Sequence, residues 1–327
     1  MTKLMLLPIL LLLFSCNSDG SDDSANSGPA PQAGYKQEMR NFVIGISQAA
    51  KSVHPDFAVI PQNGIELVSR SGEEGGAPDA EYLNAIDGNG QEDLFYGYDN
   101  DDKPTPLSAT AYLLGFLDIS KQAGKTVLVT DYCSSPSKRA DSDRKNLSSG
   151  YRSYAARERL LNVIPVGAPH GENTDDISQL SEARNFLYLI DPETFSSKSE
   201  FLDKIVQTNY DAVIIDLFVG NEMVTASDVE IISRKANGGK RLVLCYMSIG
   251  EAEDYRYYWE EAWKKERPGF IAGENRDWKG NFKVRYWDPA WQQIIYGNEN
   301  SYLTKILNSG FDGVYLDIID GFEYFEN

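Results

Sequence analysis

Apolar residues along this chain recur in two rhythms that alternate. Met39, Phe42, Val43, Ile46 and Ala50 fall at helical spacing, and Phe57-Ala58-Val59-Ile60 follows as a short run closed by Pro61. A second strand lies within Ile86 to Tyr98, where the pattern leaves its boundaries open. Leu113 to Gln122 reads as a helix stopped by Gly124, and Thr126 to Thr130 as the next strand. Ser134 to Gly150, rich in Ser and charge, reads as a mobile loop. Phe186 to Ile190 is strand-like, and Phe201, Leu202, Ile205 and Val206 make a helical stripe. Ala212 to Ile215 is a continuous apolar run, as expected of a strand buried on both faces. Ser227 with Glu230 reads as a capping box opening a helix that ends near Gly238. Strands at Leu242 to Tyr246, Lys283 to Trp287 and Val314 to Leu316 complete the set, with a helix from Ile294 to Leu307 stopped by Gly310.

Eight strand candidates separated mostly by helices predict parallel strands joined by right-handed crossovers. The fold class expected is α/β, a (β/α)8 TIM barrel, which typically takes about 250 residues plus insertions. An open doubly wound sheet is the alternative, but no Gly-rich fingerprint follows the first strand.

The beginning of the chain changes the picture. Lys3 precedes an apolar run from Leu4 to Phe14, and Ser15-Cys16 follows. A basic start and an apolar stretch too short to span a bilayer read as a secretory signal. The cysteine after Ser15 makes it resemble a lipoprotein signal, with Cys16 lipidated; a plain signal peptide is the alternative. Beyond it, Asn17 to Gly34 lacks apolar periodicity and reads as a flexible tether. Its acidic run from Ser18 to Asp23 resembles the export tether of Bacteroidetes surface lipoproteins. The expected organisation is a signal peptide over 1–15, a tether over 16–37 and one barrel over 38–327. The expected location is the outer membrane or cell surface, with the membrane touched through the lipid anchor only.

Composition then narrows the chemistry. Asp and Glu number 49 against 31 Lys and Arg, a net charge of −18, which argues against a nucleic-acid partner. Two His and three Cys exclude a zinc finger or a His-rich metal site. A hydrophobic content of 42% is too high for a disordered chain. Cys133 and Cys245 end different apolar runs and read as two buried free thiols rather than a disulfide.

Acids gather just past the apolar runs, where a parallel barrel keeps its chemistry. They are Glu92, Asp131, Asp216, Glu251, Glu253, Asp288, Asp317 and Asp320, with Asn63 in the same position after the first run. Some have structural readings: Asp288-Pro289 resembles a helix N-cap, and Glu253 with Asp254 suits a helix opening. Both histidines, His54 and His170, fall in loops, so a Ser-His-Asp hydrolase does not fit. Paired carboxylates fit glycoside hydrolysis: one protonates the leaving oxygen while the other attacks or activates water. The same oxygens could instead hold Mg²⁺ or Ca²⁺, although the glycosidase reading calls for no metal or cofactor. Tyr246 and Trp287, with Tyr96, Tyr98, Tyr132, Trp259 and Trp291, fall around these ends; such rings stack on sugar faces or simply fill core.

From Tyr246 to Trp259 the sequence Tyr-Met-Ser-Ile-Gly-Glu-Ala-Glu-Asp-Tyr-Arg-Tyr-Tyr-Trp resembles glycoside hydrolase family 114, the endo-α-1,4-polygalactosaminidase-like barrels. Supporting blocks are Val284 to Pro289, Gly310 to Asp320 and Asp211 to Asp216. In that family the block ending at Asp320 is followed by a helix, a strand like Val59 to Gly64, and a segment like Ile86-Asp87-Gly88 with Glu92 to Tyr96. Here those pieces stand at the front, and the family's opening strand corresponds to Asn185 to Asp191. The chain therefore resembles a circular permutant with new ends between the fifth and sixth units. That expectation is geometric: the Val314 strand should lie parallel beside the Phe57 strand, and Val127 should neighbour Leu187.

The resemblance implies Asp317 and Glu92 as catalytic acids, Glu92 as general acid and Asp317 as nucleophile or base, with the roles open to exchange. It implies Asp216, Glu251, Asp320 and Asn63 in the substrate cleft, with Tyr246 and Trp287 as binding aromatics. Glu92 depends on a poor strand, Gly88-Asn89-Gly90. Were the strand to run from Leu94, Glu92 would sit at the wrong end and Glu251 would be the acid. The implied substrate is an α-linked, galactosamine-type polysaccharide. A carbohydrate-binding surface lipoprotein that keeps the barrel without turnover is the alternative.

Overall fold

The computed structural model describes residues 33–326. The signal segment, Cys16 and most of the tether lie outside the described residues. Helix α1 (Tyr35–Val53) buries the predicted stripe of Met39, Phe42, Val43, Ile46 and Ala50. It starts ahead of the boundary expected at residue 38, because Tyr35 stacks on Phe325 with ring centroids 5.6 Å apart. There follow β1 (Ala58–Pro61), α2 (Ala80–Ala85), β2 (Gly88–Glu92), α3 (Leu107–Gln122), β3 (Thr126–Tyr132), α4 (Pro136–Ser148) and β4 (Arg152–Ala156). After a long connection come β5 (Phe186–Tyr188), α5 (Lys198–Val206), β6 (Ala212–Asp216), the small hairpin β7 (Phe218–Val219) and β8 (Glu222–Met223), and α6 (Ala226–Ile232). The chain continues through β9 (Leu242–Ser248), β10 (Glu251–Glu253), β11 (Ile271–Glu274), β12 (Asn281–Val284), α7 (Pro289–Ile295), α8 (Tyr302–Asn308), β13 (Gly313–Asp317) and α9 (Glu323–Glu326).

Strands β1, β13, β9, β6 and β5 form one sheet in that order, and β2, β3 and β4 a second; every pairing in both is parallel. The two sheets meet where Gln62, just past β1, bridges Gly90 of β2 in parallel, and β4 lies beside β5. This is a mixed α/β molecule with a parallel central sheet, compatible with a TIM-barrel-like fold.

Among the described residues the parallel strands again number eight, but one differs from expectation. Lys283 to Trp287 is not among them: β12 pairs antiparallel with β10 and β11 in a separate sheet. Its alternating half-exposed and buried residues are the pattern of a sheet covered on one face. The missing parallel strand is β4, whose Arg, Ser and Ala content gives little strand signal. Val59 pairs with Val314, as the Val314–Phe57 expectation requires. Val127 does not neighbour Leu187, because β4 lies between β3 and β5.

Strand β2 is the weakest by sequence, yet it runs from Gly88 and ends on Glu92. Its glycines are demanded by packing. A Cβ at Gly90 would overlap the Tyr315 hydroxyl, and one at Gly88 would meet the Thr126 carbonyl. Three further expectations shift. The capping box is Thr225 with Asp228, and that helix ends at Ile232. The helix over Ile294 to Leu307 is two, α7 and α8, parted at Gly297 and restarted by the Ser301 cap. Residues 134–150 are not a loop: Ser135 caps Lys138 N and Pro136 opens α4. Cys133 and Cys245 are buried free thiols.

Candidate active site

Three neighbouring strands, β13, β1 and β2, end at one level. Asp317 closes β13, Gln62 follows β1, and Glu92 closes β2. In each case the next residue is left-handed: Ile318 at φ 58°, Asn63 at 59° and Asp93 at 58°. That conformation is uncommon outside glycine and costs most for a β-branched residue such as Ile318. It turns the backbone out of the sheet immediately after each polar side chain.

One side-chain nitrogen joins the two acids. Gln62 Nε2 donates to Glu92 Oε2 at 3.0 Å and to Asp317 Oδ1 at 2.9 Å. The two N–H bonds of an amide diverge by about 120°, and acceptors lying along them would be roughly 5 Å apart. Asn63 Nδ2 also donates to Glu92 Oε2, at 2.9 Å, and the Tyr132 hydroxyl donates to Oε1. On the other acid, Tyr246 donates to Asp317 Oδ2 at 2.7 Å. Burial, then the charge of Glu92, pushes the Asp317 carboxyl up to about 7.

The pair opens on a cavity of about 830 Å³. Asp320 lies in its wall, pushed up to about 8 by burial and then by the charges of Asp317 and Glu323. Arg256 is nearly buried in the same wall. It donates to Asp216 at 2.8 Å and to Glu253, and lies over the Tyr255 and Tyr302 rings. Glu251 is neutralised by Lys283 at 2.9 Å and accepts from Asn275 and Asn281. Opposite, Arg159 lies 4.2 Å over the Tyr132 ring and donates to Asp93 at 2.8 Å. Among the described residues, no three or more His, Cys, Asp or Glu side chains are grouped as a metal site requires.

Asp317, Glu92, Asn63, Tyr246, Asp216, Glu251 and Asp320 all line this cavity. Trp287 does not. It packs on Tyr286, Tyr35 and Phe325, with centroids 5.0, 5.4 and 4.8 Å away, because its segment is outside the parallel sheet. Asp288 caps α7 by accepting from Ala290 N. Asp131 is fully buried and accepts from Phe95 N, Tyr96 N, Ser142 and Asn146, so it holds the β3–α4 corner. Glu253 pairs with Arg256 instead of opening a helix. Sequence reasoning passed over Gln62 and Arg256. Gln62 stands beside Asn63 after the first run, so its position was a signal; an amide among acids drew no chemistry. Arg256 gave none beyond lying in the Tyr246–Trp259 block.

Residues 186–327 match the family model described as glycoside-hydrolase family GH114. An uncharacterized protein of Methanocaldococcus jannaschii is 39% identical over 156 residues, 47% of this chain and 42% of that protein. One of Deinococcus radiodurans is 36% identical over 126 residues, 38% of each chain. One of Thermotoga maritima is 44% identical over 81 residues, 25% of this chain and 24% of that protein. The chain thus spans less than half the length of these relatives.

Proposed function

We propose that the chain is a retaining glycoside hydrolase acting on an α-linked, amino-sugar-containing polysaccharide of the galactosamine type. The observation that carries this reading is that both carboxylates accept from one Gln62 nitrogen, at 3.0 and 2.9 Å; ideal amide geometry then puts them roughly 5 Å apart, the separation of retaining enzymes, where inverting ones need about 6.5–9.5 Å to admit water. The match to GH114 supports glycosidase chemistry, and the acidic cavity suits a cationic polymer. In the first step Glu92 protonates the glycosidic oxygen while Asp317 attacks the anomeric carbon. In the second, ionised Glu92 takes a proton from the water that releases the sugar from Asp317.

A second reading exchanges the roles, and the raised Asp317 carboxyl favours it, because a general acid must hold its proton near neutral pH. Azide separates the two. It rescues a truncated nucleophile with inverted product and a truncated acid with retained product.

The test of the activity is incubation with deacetylated galactosamine polymer, reading new reducing ends and their anomeric form by NMR. Glu92→Gln and Asp317→Asn should each lower the rate by roughly 10²–10⁴-fold with the fold retained by circular dichroism. No hydrolysis by the unmodified chain over a panel of glycans overturns the proposal.

The same reading takes the parallel strands as a closed barrel, permuted relative to the family. The family match opens at β5, and β1 follows β13 in parallel. With Lys283 to Trp287 outside the count, the new ends fall between the fourth and fifth units. A lipid on Cys16 would hold this barrel at the outer membrane or cell surface.

A further inference from the structure

We infer that Gln62 is a positioning residue: its single side-chain nitrogen yokes the Glu92 and Asp317 carboxylates and governs where their shared proton resides. The inference rests on the reading of those two acids as the catalytic pair.

The placement follows from topology. Strand β1 lies between β13, which ends on Asp317, and the strand that ends on Glu92. A side chain at the end of the middle strand is therefore the one with reach to both. Its backbone is fixed on each side: Gln62 N donates to Leu316 O at 2.8 Å, and Asn63 N donates to Gly90 O at 3.0 Å. The residue is 2% exposed, so packing holds the amide where it is. Both N–H bonds go to the acids, and the amide oxygen is buried with no hydrogen-bond partner among the described residues. A buried acceptor left over in this way is uncommon. Among the described residues its side chain makes no other hydrogen bond.

Two carboxylates this close repel, and each favours a proton on the other. A donor shared between them opposes that effect, since it stabilises the doubly ionised form most. The groups facing the pair are Tyr132 from β3, Tyr188 from β5 and Tyr246 from β9, Tyr315 and Asp320 from the β13 side, and Asp93 after β2, whose charge is paired with Arg159 over the Tyr132 ring. Glu253 adds negative charge from β10, and Arg256, which carries positive charge there, is already paired with Glu253 and Asp216. Of the side chains hydrogen-bonded to the pair, Gln62 is the one that contacts both acids. Removing it should let the pair hold its proton to higher pH.

The experiment uses the full chain with ¹³C-carboxyl aspartate, the Asp317 signal being assigned by its loss in Asp317→Asn. In Gln62→Met, which keeps length without the donor, the Asp317 midpoint should rise by about one pH unit. The alkaline limb of the pH–rate profile, set by loss of the pair's shared proton, should shift by the same amount, with kcat down about 10–100-fold and KM within about twofold. Gln62→Glu, a second variant that keeps a polar group, should raise the midpoint further. Asp211, buried against Lys235 away from the cavity, supplies a signal that should not move. Midpoints unmoved in both variants, or moved with kcat intact, overturn the inference. A midpoint that rises while the unmodified chain hydrolyses no glycan leaves the yoke standing and defeats the proposed function instead.

Discussion

Asp320 shows what a crowded acidic cavity does to a single residue. Folding moves its carboxyl from the usual range to about 8, with burial the larger cause and neighbouring acids the smaller. Because the folded value is raised, its stabilising contribution is complete below about pH 4 and is lost as pH rises through 8; Asp317 follows the same sign through 7. Melting temperature should therefore fall between pH 5 and 8.5. Asp320→Asn should flatten that slope and exceed the unmodified chain at pH 8.5 by on the order of 1–3 kcal/mol, with little difference at pH 5. Thermal melts followed by circular dichroism at the two pH values check it, and an unchanged slope refutes it. At this scale the acids of the cavity wall were readable where they follow apolar runs, as with Asp216 and Asp317. The sequence was silent on Gln62, whose importance is relational: an amide matters only once topology has put an acid on either side.

Elements were legible in proportion to how much of their pattern came from burial. The continuous apolar run of β6 and the stripe of α1 announce themselves, since each residue is apolar for its own reason. Strand β2 reverses this. Its residues are small or polar because the space beside them is already filled, above all by Tyr315 against Gly90. Gly90→Ala should thus destabilise by roughly 1–3 kcal/mol through overpacking. Adding Tyr315→Leu should recover part of that loss, a coupling that urea melts of both single variants and the double variant would measure. Independent, additive losses would refute the packing argument. The confusion of β4 with Lys283 to Trp287 has a similar cause. Val284, Tyr286 and Trp287 have strong strand propensity, but propensity does not say which sheet a segment joins.

Across the whole molecule, the two ends of the described chain lie together: Lys36 pairs with Glu326 at 2.5 Å, and Tyr35 stacks on Phe325. Joining residue 326 to residue 35 through a short Gly/Ser linker, with new ends in the exposed segment near Val166, should give a chain that folds and keeps the parent's melting temperature within a few degrees. A rearranged chain that aggregates or melts far lower counts against adjacency of the ends. The hydrogen bond from Gln62 to Asp317 spans 255 positions, and this has a consequence for a chain cut rather than rejoined. Val166 is fully exposed; a break there sends Gln62 and Glu92 away with one fragment, Asp317 and Tyr246 with the other. On the function proposed above, neither piece should hydrolyse a glycan alone, and turnover should return only when both are mixed. Built this way, the cavity is a two-key lock, and the proposed activity would serve as an assay for the reunion of two half-molecules.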